Sequence, residues 1–362
     1  MHAIRGSTRI REINQLRLID CQPAFPGTRF QGSKLKILDW IWGAMSELSF
    51  DSALDAFGGT GAVAYMLKHR NKTVTYNDIL KFNWHIGHAL IENSDNRLCD
   101  DDVQLILTKQ PGINYPSFIR DTFKDIYFTD EENEWLDIVR TNIQLLENEF
   151  KQSLAYYALF QSAISKRPFN LFHRKNLYLR FSDVKRTFGN KATWDTQFEL
   201  HFKRFVADAN RAIFANGKSN RALNLDIFDI EDTFDLVYID TPYIAKNGIG
   251  VDYLAFYHFL EGLVNYDNWA ETIDFRTKHL SLKKQDSIWN DKSRILIGFE
   301  RLFDKFKDSI IVVSYRSDGI PTIADLHRIS GKYKSKIMEY RMHNYKYALS
   351  NNHNDEVLLV CT

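Results

Sequence analysis

The sequence predicts an α/β protein whose sheet is interrupted by a long helical insertion. Three observations carry this expectation. A strand, a glycine-rich turn, a helix and a second strand follow one another between residues 53 and 78. Helical spacing then dominates from about residue 80 to 215. Strand-like segments return at 221–225, 234–240, 309–315, 335–340 and 355–361. A strand–helix–strand unit of this kind is the core of a parallel nucleotide-binding sheet. The catalytic sheet is assigned to residues 1–80 and 220–362, and the helical, partly basic insertion to 81–219.

The first strand, ALDAF, is followed by Gly58-Gly59-Thr60-Gly61 and then by AVAYMLKHR, whose apolar spacing suits a helix. Glycines at such a turn let backbone approach a ligand and expose a helix N-terminus. The spacing is not GxGxxG and lacks the Lys-Ser/Thr of a phosphate-gripping loop. A cofactor with a zwitterionic tail and a ribose fits better than a dinucleotide or a triphosphate. A plain tight turn fits the loop taken alone equally well. The next strand, KTVTYND, ends on Asp78, about 20 residues past the loop, where an acid can accept from ribose hydroxyls. A turn or N-cap aspartate is the alternative.

In the insertion, TDEENEWLDIVRTNIQLLENEF opens on a capping box, Thr129 to Glu132, and continues with helical spacing through Trp135, Ile138, Val139, Leu145 and Leu146. QFELHFKRFVADANRAIF is a second helix candidate. Residues 91–150 are acid-rich, whereas residues 166–204 hold ten Lys or Arg against three acids, with aromatic residues interleaved. Lys166, Arg167, Arg174, Lys175 and Arg180 belong to this stretch and are candidates for tracking phosphates. The competing reading is a solvated helical face with core aromatics. A second basic stretch runs from Arg276 to Arg294.

Past the insertion, Asp226-Ile227-Phe228 follows a predicted strand. An acid beside a bulky apolar residue could hold an adenine ring, although Asp after a strand is common. LVYIDTPY, at 236–243, runs a buried strand into Asp240-Thr241-Pro242-Tyr243. An exocyclic amino nitrogen of a base is a poor nucleophile because its lone pair is delocalised into the ring. Two acceptors aimed at its two hydrogens would favour a more tetrahedral nitrogen. Asp240 can supply one acceptor and the Thr241 carbonyl the other, fixed in extended geometry by Pro242. The Tyr243 ring can stack on a base that has left its helix. This is catalysis by orientation and preorganisation, and it needs no metal.

Bulk properties bound the rest. With 362 residues, 44% hydrophobic and 14% aromatic, the chain is globular, not disordered. A net charge of +1 leaves attraction of an acidic partner to local patches. Cys21, Cys99 and Cys361 form no CxxC pair, which argues against a disulfide framework or structural zinc and fits a reducing compartment. MHAIRGSTRIREINQ lacks the apolar core of a signal peptide, and no stretch approaches ~20 uninterrupted apolar residues, so no membrane span is expected.

Taken together, these motifs resemble the D12 class (Dam-like) of adenine-specific DNA methyltransferases. The resemblance rests on Phe30-Gln31-Gly32-Ser33-Lys34, Phe57-Gly58-Gly59-Thr60-Gly61, Asn77-Asp78, Asp226-Ile227-Phe228 and Asp240-Thr241-Pro242-Tyr243, in the family's order. Lys166-Arg167-Pro168-Phe169-Asn170 and Ser314-Tyr315-Arg316 are similar as well. It implies a Rossmann-like S-adenosylmethionine-dependent methyltransferase sheet with a target-recognition insertion. It also implies methyl transfer to N6 of a flipped-out adenine in double-stranded DNA. Cofactor contacts are implied at Gln31, Gly32, Lys34, Asp55, Phe57, Gly58, Gly59 and Gly61, with Lys34 and the loop at the methionine end. Asp78 would bind the ribose, Asp226 and Ile227 the cofactor adenine, and Asp240 to Tyr243 the target base. The setting implied is the cytoplasm of a bacterium, at the nucleoid when acting, with a cognate restriction endonuclease as functional partner. Two positions depart from the family: Thr241 stands for the usual first proline and Ile227 for the usual Phe. The competing functions are a non-catalytic nucleic-acid-binding protein on the same scaffold and methylation of cytosine N4, RNA or protein. Cytosine N4 enzymes more often begin the motif with Ser and end it with Trp.

Overall fold

A computed structural model of the chain describes residues 23–182, 191–246, 248, 250–346 and 353–362. The central sheet contains β1 (Ser52–Asp55), β2 (Thr73–Asn77), β3 (Arg221–Leu223), β4 (Leu236–Ile239), β6 (Ile310–Arg316), β8 (Ile337–Lys346) and β9 (His353–Cys361). A separate two-stranded ribbon pairs β5 (Ile244–Ala245) with β7 (Gly319–Ile320). The order across the large sheet is β3-β2-β1-β4-β6-β9-β8. The first five of these run parallel, and β9 pairs antiparallel with both β6 and β8. This is a doubly wound, Rossmann-like sheet with an antiparallel edge.

The parallel strands are nearly all apolar because both faces are covered. Ala53, Val74, Tyr238 and Val312 point into one core, whereas Leu54, Val237, Ile239 and Val313 point into the other. The predicted strands are therefore present, with ends moved by one or a few residues. The β3 strand is shorter than 221–225, and β8 runs on past 340.

The core on the first face continues without a break into the insertion, through Leu136, Val139, Phe160, Phe202 and Phe205. The capping box forms as expected. Thr129 and Glu132 exchange side-chain and backbone hydrogen bonds at the start of the helix Asp130–Ile143. Residues 81–92 lie between the sheet and the insertion, with His85 and His88 both 2.9 Å from the Ser153 hydroxyl. Trp84 Nε1 donates to the Ala222 carbonyl at 3.1 Å, and the Glu92 carboxylate accepts from the Ala222 N–H at 2.8 Å. The helix Tyr253–Val264, by contrast, lies in the catalytic half of the sequence but packs on the insertion. Phe259 stacks on Phe172 with centroids 5.1 Å apart, and Tyr127 Oη lies 2.6 Å from the His279 carbonyl.

No helix among the described residues is long and apolar enough to cross a membrane. Cys99 and Cys361 are free thiols, and Cys21 lies outside the described residues, as do Lys185, Arg186 and the segment 1–15.

Candidate active site

The parallel arrangement brings Asp55, Asp78 and Asp240 to one edge, because each follows or ends a strand running the same way. A cavity of about 1100 Å³ opens there. It is lined by Asp240, Thr241, Pro242 and Tyr243, and by every candidate cofactor residue except Gly61.

The glycine loop is built around a tyrosine. A Cβ on Gly58 would stand 2.1 Å from the ring of Tyr76, and one on Gly87 2.2 Å from it. Gly59 and Gly61 take left-handed backbone, φ +51° and +76°, which glycine adopts without steric cost. Gly61 then caps the helix Ala62–His69. Asp55 accepts from the Ala64 N–H at 3.1 Å in its first turn. Burial, then the charge of Asp240, raises the Asp55 carboxyl to about 8, with the Ala64 N–H pulling the other way.

Asp78 braces the same loop. Its Oδ2 accepts from Gly59 N–H at 2.9 Å and from Asn83 at 3.0 Å, and its Oδ1 accepts from Leu80 N–H at 2.9 Å. Burial still raises it, to about 6. A carboxylate has about four acceptor positions, so one remains for a ligand hydroxyl. Both readings of Asp78, brace and acceptor, are therefore compatible in one residue.

Asp226 is exposed and caps a short turn, accepting from Phe228 N–H at 2.9 Å, while Ile227 is buried beneath it. Sequence reasoning missed what lies beside them. Phe228 stacks on Trp289 at 6.0 Å and 18°, Trp289 meets Phe57 edge-on at 5.1 Å, and Arg301 covers Phe228 at 3.7 Å. Trp289 sits in a segment with no strand or helix period, so only its type could have drawn notice.

Lys34 is buried, and its ammonium stands on the Asp240–Tyr243 side of the cavity. Its Nζ is 3.2 Å from Asp240 Oδ1 and 2.8 Å from Glu356 Oε1, and it also bonds Tyr243 Oη. Burial alone would lower its pKa. Asp240 and then Glu356 outweigh that and raise it well above the usual lysine value. Tyr243 Oη donates to Asp240 Oδ1 at 2.7 Å, and the Tyr243 ring meets Tyr315 edge-on at 5.1 Å. Burial raises Asp240 to about 6; Lys34 opposes this and Glu356 adds to it. The Tyr243 hydroxyl is thus as engaged as its ring, which the sequence alone did not predict. Thr241 is 2% exposed, and its Oγ1 is buried with no partner among the described residues.

Three of the five DNA candidates need correction. Lys166, Arg167 and Arg180 are buried. Lys166 is 2.9 Å from Glu132 Oε1, and Arg180 clasps the same carboxylate with both terminal nitrogens, at 2.6 and 2.7 Å. Arg167 donates to the carbonyls of Leu171, Tyr127 and Arg174. These cations brace the insertion and cannot reach a phosphate from where they stand. Lys191 and Lys203 pair with Asp195 and Glu199. Arg174 and Lys175 are exposed. No group of three His, Cys, Asp or Glu able to hold a metal occurs among the described residues.

A glycine loop, an acid after the second strand and an Asp-Thr-Pro-Tyr turn after the fourth, all on one cavity of a doubly wound sheet, define the class: a methyltransferase of amino groups on bases. The chain belongs to the D12 class N6 adenine-specific DNA methyltransferases, whose family model matches residues 30–311. It is similar to the type II methyltransferase M2.HphI of Haemophilus parahaemolyticus, 29% identical over 325 residues that cover 87% of this chain and 90% of that one. It is also similar to the modification methylase StsI of Streptococcus sanguinis, 27% identical over 91% of this chain and 51% of that one. The type II methyltransferase M.FokI of Planomicrobium okeanokoites is 27% identical over 88% and 50%. The chain spans about half the length of these last two relatives.

Proposed function

We propose that the chain uses S-adenosylmethionine to methylate N6 of an adenine rotated out of a specific site in duplex DNA, as the modification arm of a restriction–modification pair. The observation that carries this reading is that the glycine loop, Asp78 and Asp240–Tyr243 line one cavity. The names of the relatives, type II methyltransferase and modification methylase, support the restriction–modification setting.

The residues present fit the cofactor. The cavity wall carries the buried carboxyls of Asp55 and Asp78, which suit a ligand bearing positive charge. When bound, the cofactor supplies an electrophilic methyl group. Everything else falls to this chain. Asp240 Oδ1 is held by Lys34 and Tyr243, so Oδ2 is left to accept one hydrogen of the adenine amino group. The Thr241 carbonyl accepts the other, and the nitrogen lone pair is freed from the ring. Once N6 is methylated it sheds one proton and keeps the N–H electron pair. Asp240 is placed to take that proton and pass it to water.

Duplex DNA incubated with the protein and methyl-labelled cofactor, then digested to nucleosides, tests this reading. Label is expected in N6-methyladenine. Label in cytosine N4, or none despite bound cofactor, sinks it.

A further inference from the structure

A half-buried and a fully buried carboxylate share one ammonium in this site, and they do not share one role. Asp240 lines the cavity, with its side chain 18% exposed; Glu356 does not line it, and its side chain is 0% exposed. Glu356 comes from the far end of the chain. Because β9 runs antiparallel to β6, with Arg316 opposite Glu356, the start of β9 lies at the edge where the parallel strands finish. There Glu356 Oε1 accepts from Lys34 at 2.8 Å and from the Ser314 hydroxyl, and lies 3.2 Å from Tyr243 Oη.

A lysine ammonium has three donors on a flexible stem. Here it meets Asp240, Glu356 and Tyr243. Asp240 and Tyr243 sit on the turn that receives the base, whereas Glu356 is fixed in a sheet strand and tied to Ser314 on the next. The rigid partner sets where the ammonium stands. Building on the function proposed above, we infer that Glu356 is a positioning residue for methyl transfer. It anchors Lys34, so that Lys34 and Tyr243 together pin Oδ1 of Asp240 and leave Oδ2 turned to the amino group. Glu356 itself touches neither the base nor the cofactor.

Single-turnover methyl transfer by Glu356→Gln, Lys34→Met and the double variant tests this, with cofactor affinity measured by calorimetry. Glu356→Gln is expected to slow transfer about 100-fold, the scale of a misplaced catalytic group. Cofactor affinity should stay within about twofold of wild type. In the Lys34→Met background the same change should add less than about threefold, because its effect runs through Lys34. Losses that multiply in the double variant, or a wild-type rate for Glu356→Gln, overturn the inference. Should Glu356→Gln not fold, Ser314→Ala replaces it. That variant is expected to be about tenfold slower, and insensitive in the Lys34→Met background; an unchanged rate overturns the role. Wild type that labels no adenine overturns the proposed function and this role with it. Wild type that labels adenine while the variants keep its rate overturns only the role of Glu356.

Discussion

Asp55 and Asp240 close adjacent parallel strands, and after burial the charge of Asp240 is the strongest influence lifting the Asp55 carboxyl to about 8. In an unfolded chain that carboxyl titrates near about 3.9. The folded state therefore binds the proton more tightly. Its contribution to stability is full below the unfolded value and is lost as pH rises through about 8. Asp78 and Asp240, both near about 6, act with the same sign at lower pH. The Tm of the cofactor-free protein is expected to fall between about pH 4 and 8, and Asp55→Asn to flatten the part of that fall above about pH 6. Parallel Tm–pH curves for the two proteins would contradict this assignment.

Asp240→Asn keeps the shape of the side chain and removes its charge. Methyl transfer is expected to drop at least about 10²-fold, in line with the loss of one preorganised partner, with cofactor affinity near wild type. Lost cofactor binding in calorimetry would place Asp240 in the cofactor site instead. Tyr243→Phe keeps the ring but removes the hydroxyl that bonds Asp240 and Lys34. A loss of about tenfold is expected, about what one charge-assisted hydrogen bond contributes.

Gly58→Ala would put a methyl group against the Tyr76 ring, well inside van der Waals distance. The loop must shift, at about 1–3 kcal/mol of stability. Cofactor affinity should weaken with it, since Gly59 N–H is held by Asp78 in the same turn. Thermal unfolding and calorimetry on one sample check both effects; unchanged values for the two would remove the loop from the binding site.

Arg174→Ala with Lys175→Ala is expected to weaken DNA binding and to reduce the slope of log K against log salt by about 1 for each phosphate no longer neutralised. Lys166→Ala should leave that slope alone. It removes one of the two cations on the Glu132 carboxylate, leaving Arg180 and the Thr129 N–H, and should cost about 1–3 kcal/mol of stability. A steep loss of salt dependence in Lys166→Ala would return that residue to the DNA face.

Thr241→Pro restores the ring that the family more often carries. The buried Thr241 hydroxyl has no partner among the described residues, and such a group costs about 1–3 kcal/mol. The variant is expected to gain Tm and keep transfer within about tenfold of wild type, since the backbone carbonyl proposed to accept from the amino group is retained. Abolished transfer in a folded variant would mean that the threonine side chain or N–H has a part in the chemistry.

The site was legible in sequence where one strand direction was enough. Asp55, Asp78 and Asp240 meet because parallel strands finish together, and Asp78 and Asp240 were visible as acids at strand ends. Glu356 was invisible for the complementary reason. It begins an antiparallel strand, and nothing local marks that start as neighbouring Asp240. The charge count over 166–204 misled because a count cannot see partners. Glu132, the carboxylate that absorbs Lys166 and Arg180, lies in the acid-rich segment before it and reads in sequence as half of a capping box. It is both.

The helical cover of the sheet ends at Glu92 and the sheet resumes at Arg221–Leu223, where the Glu92 carboxylate accepts from the Ala222 N–H. A segment whose entry and exit coincide looks made for exchange: cut at one point, and a relative's version could be spliced in. Phe172 and Tyr127 forbid so simple a trade. Their partners, Phe259 and His279, lie beyond the catalytic turn. A transplanted 93–220 would arrive against a foreign counterpart. The two partners of each contact stand on opposite sides of the Asp-Thr-Pro-Tyr motif in the chain, so a single exchanged segment that keeps both contacts must carry that turn along.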